Sequence, residues 1–180
     1  MEKELTRETV DPRYTWELTR IYASDEAWEE AFVTIKAQAD AFAQRAGTLN
    51  KGRESILETL AAMAKMDEEF EALYAYAMMK NNEDSTNAKY QAMSDRAGTL
   101  AGVVAAASAF MEPELLALPE GEVEAMIADP AFEKYDRYLS GVLRMKAHTL
   151  TANEEKLMAM ASDACNAASN AYEMLSYADM

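Results

Sequence analysis

The chain has 180 residues, half of them apolar, with 17 basic and 32 acidic groups and a formal charge of −15. That length fits one domain, or one domain and the start of another, with a real core. A pI near 4.4 argues against nucleic acid or membrane as a partner, since polyanions repel a strongly negative surface. One cysteine excludes an intramolecular disulfide and points to a reducing, cytoplasmic setting, and one histidine excludes a self-contained His-Glu-x-x-His zinc centre.

Residues 1–10 carry charge and no apolar run, so no secretory signal is expected. Residues 1–23 contain Asp11-Pro12, Tyr14, Trp16, Leu18 and Ile21-Tyr22 without helical period. They predict an extended arm whose Trp16, Leu18 and Ile21 cover the helices of a domain over 24–180. Ser24 predicts an N-cap, with Asp25 and Glu26 at the positive end of the helix dipole. Trp28, Phe32, Ile35, Ala39 and Phe42 follow at steps of four and three, one face of a helix that Gly47 would stop.

A second helix is predicted over 53–80, with Ile56, Leu60, Met63, Phe70, Leu73 and Ala77 as its buried stripe and Asp67 interrupting it. Residues 81–87 form a polar turn. Asn87 then caps a third helix carrying Tyr90, Met93, Ala97, Leu100, Val104, Ala107 and Met111, and two long helices with so short a link should lie antiparallel. Residues 97–111 hold no charge. The run is too short to span a bilayer and predicts a buried helix. Gly98 and Gly102, one turn apart, weaken that helix and are expected to let a neighbouring backbone approach closely.

Glu112-Pro113 should break or kink the third helix. Leu115, Leu116 and Leu118 predict a short buried turn, and a small helix follows over 120–128. Asp129-Pro130 is a start signal, a cap followed by proline at the first helical position, for a helix with Phe132, Tyr135, Leu139 and Val142 on its apolar stripe. Thr151-Ala152-Asn153-Glu154 matches a capping box for a long helix bearing Leu157, Ala161, Ala164 and Ala168. A last short helix holds Tyr172, Met174, Leu175 and Tyr177. The fold class is all-α: an antiparallel bundle-like domain of six to seven helices with an extended N-terminal arm.

Chemistry is sparse. A di-iron bundle needs Glu-x-x-His pairs, and Met145 stands three residues before the lone His148. A calcium loop begun at Asn82 would put Asn87 at the glycine position and Met93 at the end. The six glycines are scattered, so no phosphate loop forms. His148 reads as a loop residue bonded to nearby backbone. Cys165, among Ala164, Ala167 and Ala168, reads as a buried inert thiol without a basic neighbour. Met63, Met93 and Met111 lie on core stripes, and Glu68, Glu69 and Glu71 read as a solvated face. No catalytic, cofactor-binding or metal-ligating residue is assigned.

Beside this stands a resemblance. Tyr14-Thr15-Trp16-Glu17-Leu18-Thr19-Arg20-Ile21-Tyr22, followed by Ser24-Asp25-Glu26-Ala27-Trp28, resembles the start of oligoendopeptidase F-like proteins, zinc metallopeptidases of family M3. Asn82-Glu83-Asp84-Ser85-Thr86-Asn87 with Tyr90-Gln91, and Phe110-Met111-Glu112-Pro113-Glu114-Leu115-Leu116, are similar to later stretches of that family. So are His148-Thr149-Leu150-Thr151 with Glu154-Glu155, and Met174-Leu175 with Ala178-Asp179, in the same order.

The resemblance implies the N-terminal third of such an enzyme: a helical, non-catalytic wall of the channel that admits short extended peptides. Zinc, its His-Glu-x-x-His ligands and the catalytic groups belong to the missing catalytic domain, so this chain alone should hold no cofactor and be inactive. The expected partners are that domain and, in the intact enzyme, short peptides. The alternative is a free-standing acidic interaction module. The apolar ending at Tyr177-Ala178-Asp179-Met180 is expected to mark an interrupted fold, and exposed apolar surface, with residues 172–180 involved, to drive self-association.

Overall fold

A computed structural model describes residues 10–146 and Tyr172. The chain divides into two compact units, Met1–Ser140 and Gly141–Met180. Among the described residues there are six α-helices, several short 3-10 segments and no strand. The helices are α1 (Asp25–Ala43), α2 (Arg53–Glu83), α3 (Ala88–Ser108), α4 (Met111–Leu116), α5 (Glu122–Ile127) and α6 (Asp136–Met145).

The arm is not wholly extended. It makes two 3-10 turns, Pro12–Tyr14 and Leu18–Arg20. Leu18 is buried, as the sequence predicts, but Trp16 remains 49% exposed and Ile21 is half-buried. Ser24 caps α1 as predicted, its side chain accepting from the Ala27 N–H at 3.3 Å, with Asp25 and Glu26 in the first turn. These groups satisfy and complement the free N–H groups at that end. Trp28, Ile35, Ala39 and Phe42 are buried, and Phe32 is half-buried.

α1 ends at Ala43, four residues before Gly47, which turns the chain at φ +78°. Glu114 fixes this corner by accepting from the backbone N–H of Gly47 (2.5 Å) and of Leu49 (3.3 Å). Gly52, at φ +119°, then opens α2 in a conformation that side chains disfavour.

α2 runs to Glu83 rather than Lys80, because Asn81 and Asn82 continue the helix and only 84–87 form the turn. Its buried residues are Ile56, Thr59, Leu60, Met66, Leu73, Tyr76 and Ala77. Met63 and Phe70 of the predicted stripe are half-buried, and Met66 takes the inward place. Thr59 is tolerated inside because its hydroxyl donates to the Ser55 carbonyl at 2.8 Å, one turn back. Asn87 caps α3 by accepting from the Lys89 N–H at 3.0 Å. Met93, Ala97, Leu100, Val104 and Ala107, together with Met111 in α4, are all buried, as their spacing predicts.

The three long helices pack each against the other two, and α2 and α3 are antiparallel neighbours. The indole N–H of Trp28 donates to the Leu73 carbonyl at 2.9 Å, tying α1 to α2. Each fully buried Leu, Ile or Met here contributes on the order of 1.5–3 kcal/mol.

Two expectations about α3 fail. The segment Ala88–Leu116 is long and apolar enough to cross a membrane, by length and composition alone, yet only 28% of its most apolar window is buried. It is therefore not a wholly buried helix: one face packs on α1 and α2, and Gly98, Thr99, Gly102, Ala105, Ala106 and Ala109 are exposed. Gly98 and Gly102 admit no close neighbour either, since a Cβ built on each meets nothing within 4 Å.

The chain breaks at 109–110, so Pro113 lies in the first turn of α4, where its missing N–H costs little. Leu115 is buried, and Leu116 and Leu118 are half-buried. Asp129 caps as predicted, accepting from the Ala131 N–H at 2.9 Å. The element it starts is 3-10 over Pro130–Tyr135 before becoming α6. Phe132 and Leu139 are buried and Tyr135 half-buried. Arg53 joins this region to α2 through Glu122 (3.3 Å) and Asp129 (3.7 Å).

In the second unit the described residues are 141–146, which complete α6, and Tyr172, which is 70% exposed. His148, Cys165, the capping box at Thr151 and the helices read from 151 onward, Tyr172 apart, lie outside the described residues.

Candidate functional site

The start of α1, the end of α2 and the start of α3 meet at one end of the layer, and the charged side chains gather there. Asp25 stands in the first turn of α1. Its Oδ1 accepts from the Tyr76 hydroxyl at 2.8 Å and lies 3.9 Å from Lys80 Nζ, and its Oδ2 accepts from Lys89 Nζ. Burial alone would raise the Asp25 pKa. The hydrogen bonds from Lys89 and Tyr76 and the charges of both lysines outweigh it and hold the carboxyl below the ordinary range. Burial, and then the Asp25 carboxylate, drive the Tyr76 phenol upward. Lys80 also sits over the rings of Tyr76 (5.5 Å) and Tyr90 (5.2 Å), where the ring faces attract a cation.

One turn along α1, Glu29 receives both terminal nitrogens of Arg96 at 2.6 and 2.7 Å. The Arg96 guanidinium lies over Phe32 (4.4 Å) and Trp28 (5.2 Å). The Arg96 hydrogen bond is the main cause of the lowered Glu29 pKa. A planar guanidinium suits this double role, bidentate toward the carboxylate and stacked on the rings.

Beside this network lies an open polar cleft of about 430 Å³, lined among others by Trp16, Glu17, Asp25, Glu26, Lys80 and Glu83. A second groove, about 280 Å³, lies between α1 and α2 over Phe42 and Met66, with Arg45 and Lys65 at its rim.

Along α2 the balance reverses. Burial, and then Glu71, raise the Asp67 pKa. Tyr138 on α6 is pushed up to about 12 by burial, with Glu112 and Asp67 adding to it.

The sequence assigned no site residue. The charges at the first end are matched to one another, and among the described residues no group of three or more His, Cys, Asp or Glu is placed to hold a metal. Met66, Met93, Met111 and Met126 fill the core. Of the acidic run on α2, Glu68 and Glu71 are exposed, but Glu69 is half-buried and accepts from Gln38 Nε2 at 2.7 Å. The Asp25 network was the residue set that pattern reading missed. Lys80 and Lys89 flank a turn that returns the chain beside the start of α1, and that spacing is the available signal.

Among the described residues these features define an acidic all-α layer with a packed apolar core and a charge network at one end. A family model for the N-terminal region of M3 peptidases, described as Oligopeptidase F, matches residues 114–180. The chain is 35% identical over 175 residues to the Group B oligopeptidase PepB of Streptococcus agalactiae, covering 97% of this chain and 29% of that protein. It is 31% identical to the oligopeptidase PepF of Bacillus subtilis, covering 97% of this chain and 26% of that one. The crystal structure of oligoendopeptidase-F from Enterococcus faecium superposes with a TM-score of 0.68 at 29% identity, over 87% of this chain and 31% of that chain. The chain therefore matches the N-terminal region of oligoendopeptidase F-type proteins over nearly its whole length. It spans under a third of the length of the curated relatives it matches.

Proposed function

We propose that this chain is a non-catalytic wall of the peptide channel of a zinc-dependent, cytoplasmic oligoendopeptidase. The observation that carries this reading is collinear similarity over 97% of the chain to less than a third of proteins named as oligopeptidases. The zinc and its His-Glu-x-x-His ligands then belong to the remaining part of the protein. Bound there, zinc would polarise the scissile carbonyl and activate water. This chain's contribution is steric and electrostatic. Long helices locked by Trp28, Leu73 and Leu100 give a wall that does not yield, which confines the site to short extended peptides. A formal charge of −15 biases the approach of cationic peptide ends.

A chimera tests this, with the present chain replacing the 175 matched residues of the Streptococcus agalactiae protein. The chimera is expected to cleave short fluorogenic peptides in a chelator-sensitive manner, and the 180-residue chain alone to cleave none. Zinc-dependent cleavage by the isolated chain, or an inactive chimera beside an active parent, would overturn the reading.

A further inference from the structure

Among the described residues, the outer face of α3 has no partner. Gly98, Thr99, Gly102, Ala105, Ala106 and Ala109 are exposed and lie together opposite the buried stripe. They present three turns without charge on the side where a surface helix ordinarily carries it. Gly98, Gly102 and Ala106 recur at intervals of four, so the smallest side chains form one ridge along the helix. Two glycines inside a helix weaken it, and side chains this small leave the backbone open to close approach by another helix. Here a Cβ on either glycine meets open space. Alongside runs an open groove of about 430 Å³, predominantly apolar, between this ridge and Ala39, Asp40 and Ala43 of α1.

We infer that a helix from the remaining part of the oligoendopeptidase docks on this ridge and groove, an inference that rests on the proposed function. Two observations choose this occupant over a second copy of the chain. The relatives are more than three times as long as the stretch matched here, so most of their surface-forming chain lies outside it. Two copies would each bring a formal charge of −15 to the contact, which repels. Asp40 borders the groove and Asp95 lies one turn before Thr99 on the same side. The docking helix should therefore carry a small or apolar seam with lysine or arginine beside it.

The test is G98L/G102L, with G98A/G102A as the milder variant, in the isolated chain and in the chimera described above. In the isolated chain both variants should keep or raise the Tm, because the new side chains enter open space and replace glycine. In the chimera G98L/G102L should lower the Tm by several degrees and peptide cleavage at least tenfold, with a smaller loss for G98A/G102A. An active chimera indifferent to both substitutions overturns this inference and leaves the proposed function standing. An inactive unsubstituted chimera overturns both. A fall in Tm of the isolated chain overturns the inference by showing the ridge already covered within the chain. A dimer seen by sedimentation and lost on substitution, or flotation with phosphatidylcholine vesicles lost on substitution, overturns it in favour of a second copy or a membrane.

Discussion

Asp25 and Asp67 are aspartates on neighbouring long helices, and the fold moves their carboxyls in opposite directions. Asp25 loses solvent but gains Lys89, Tyr76 and Lys80, and its pKa falls. Asp67 loses solvent and faces Glu71, and its pKa rises. Burial opposes ionisation at both places, so the difference lies in what the neighbouring helices bring. At the first end, antiparallel pairing returns Lys80 and Lys89 to the start of α1, where the helix dipole also favours a carboxylate. Midway along α2, the neighbouring positions supply Glu71 and, toward Tyr138, Glu112. With 32 acidic groups and 17 basic ones, not every carboxylate can meet a cation; Asp25 and Glu29 meet theirs where three helices come together.

The largest test of the matched end removes the platform beneath it. Trp28 is fully buried, holds the Leu73 carbonyl and lies under Arg96. Trp28→Ala should destabilise the chain by about 3–5 kcal/mol, measured by urea unfolding. It should also loosen the Glu29–Arg96 pair, so that Glu29 titrates closer to an ordinary carboxylate by NMR. An unchanged Glu29 titration would separate the stacking from the ion pair.

A smaller effect comes from the network itself. Asp25→Asn leaves Lys80 and Lys89 without their anion and should cost about 1–3 kcal/mol at neutral pH. The sign of its pH dependence is fixed. The folded-state pKa of Asp25 is depressed, so its contribution is present above the ordinary carboxylate pKa and is lost as pH falls through the folded value. The gap between parent and variant should therefore close on acidification. A gap that persists at low pH would mean that Asn disturbs packing rather than charge.

The fold was legible in sequence wherever apolar spacing and caps act locally. Ser24, Asn87 and Asp129 cap as their residue types predict, and the inward face of α3 follows its three-four spacing from Met93 to Ala107. Legibility ended where the outcome depends on what lies across a helix. The same uncharged run supplies both faces of α3, and composition cannot say that only one is covered. Tyr76 was unreadable for a similar reason, since its burial depends on Asp25, 51 residues away, accepting its hydroxyl. Trp16 shows the converse, an apolar residue in a non-periodic arm with nothing local to direct it inward.

The smallest effect belongs to the unmatched region and has the opposite sign. Asp67 was already visible in sequence as a charge interrupting the α2 stripe, and its position is half-buried. Because its folded-state pKa is raised, the folded chain holds this proton more tightly than the unfolded chain. The stability it supports is complete below the ordinary carboxylate pKa and is lost as pH rises through the folded value. At neutral pH the ionised group therefore works against the fold, and Asp67→Asn should raise the Tm slightly. Below about pH 3, under the ordinary carboxylate pKa, parent and variant should melt together. Glu71→Gln, which removes the charge facing Asp67, should give part of the same gain, and the double variant less than the sum, because each substitution relieves the same repulsion. Equal and additive gains would mean that burial alone, and not the neighbouring acid, sets Asp67 apart from Asp25.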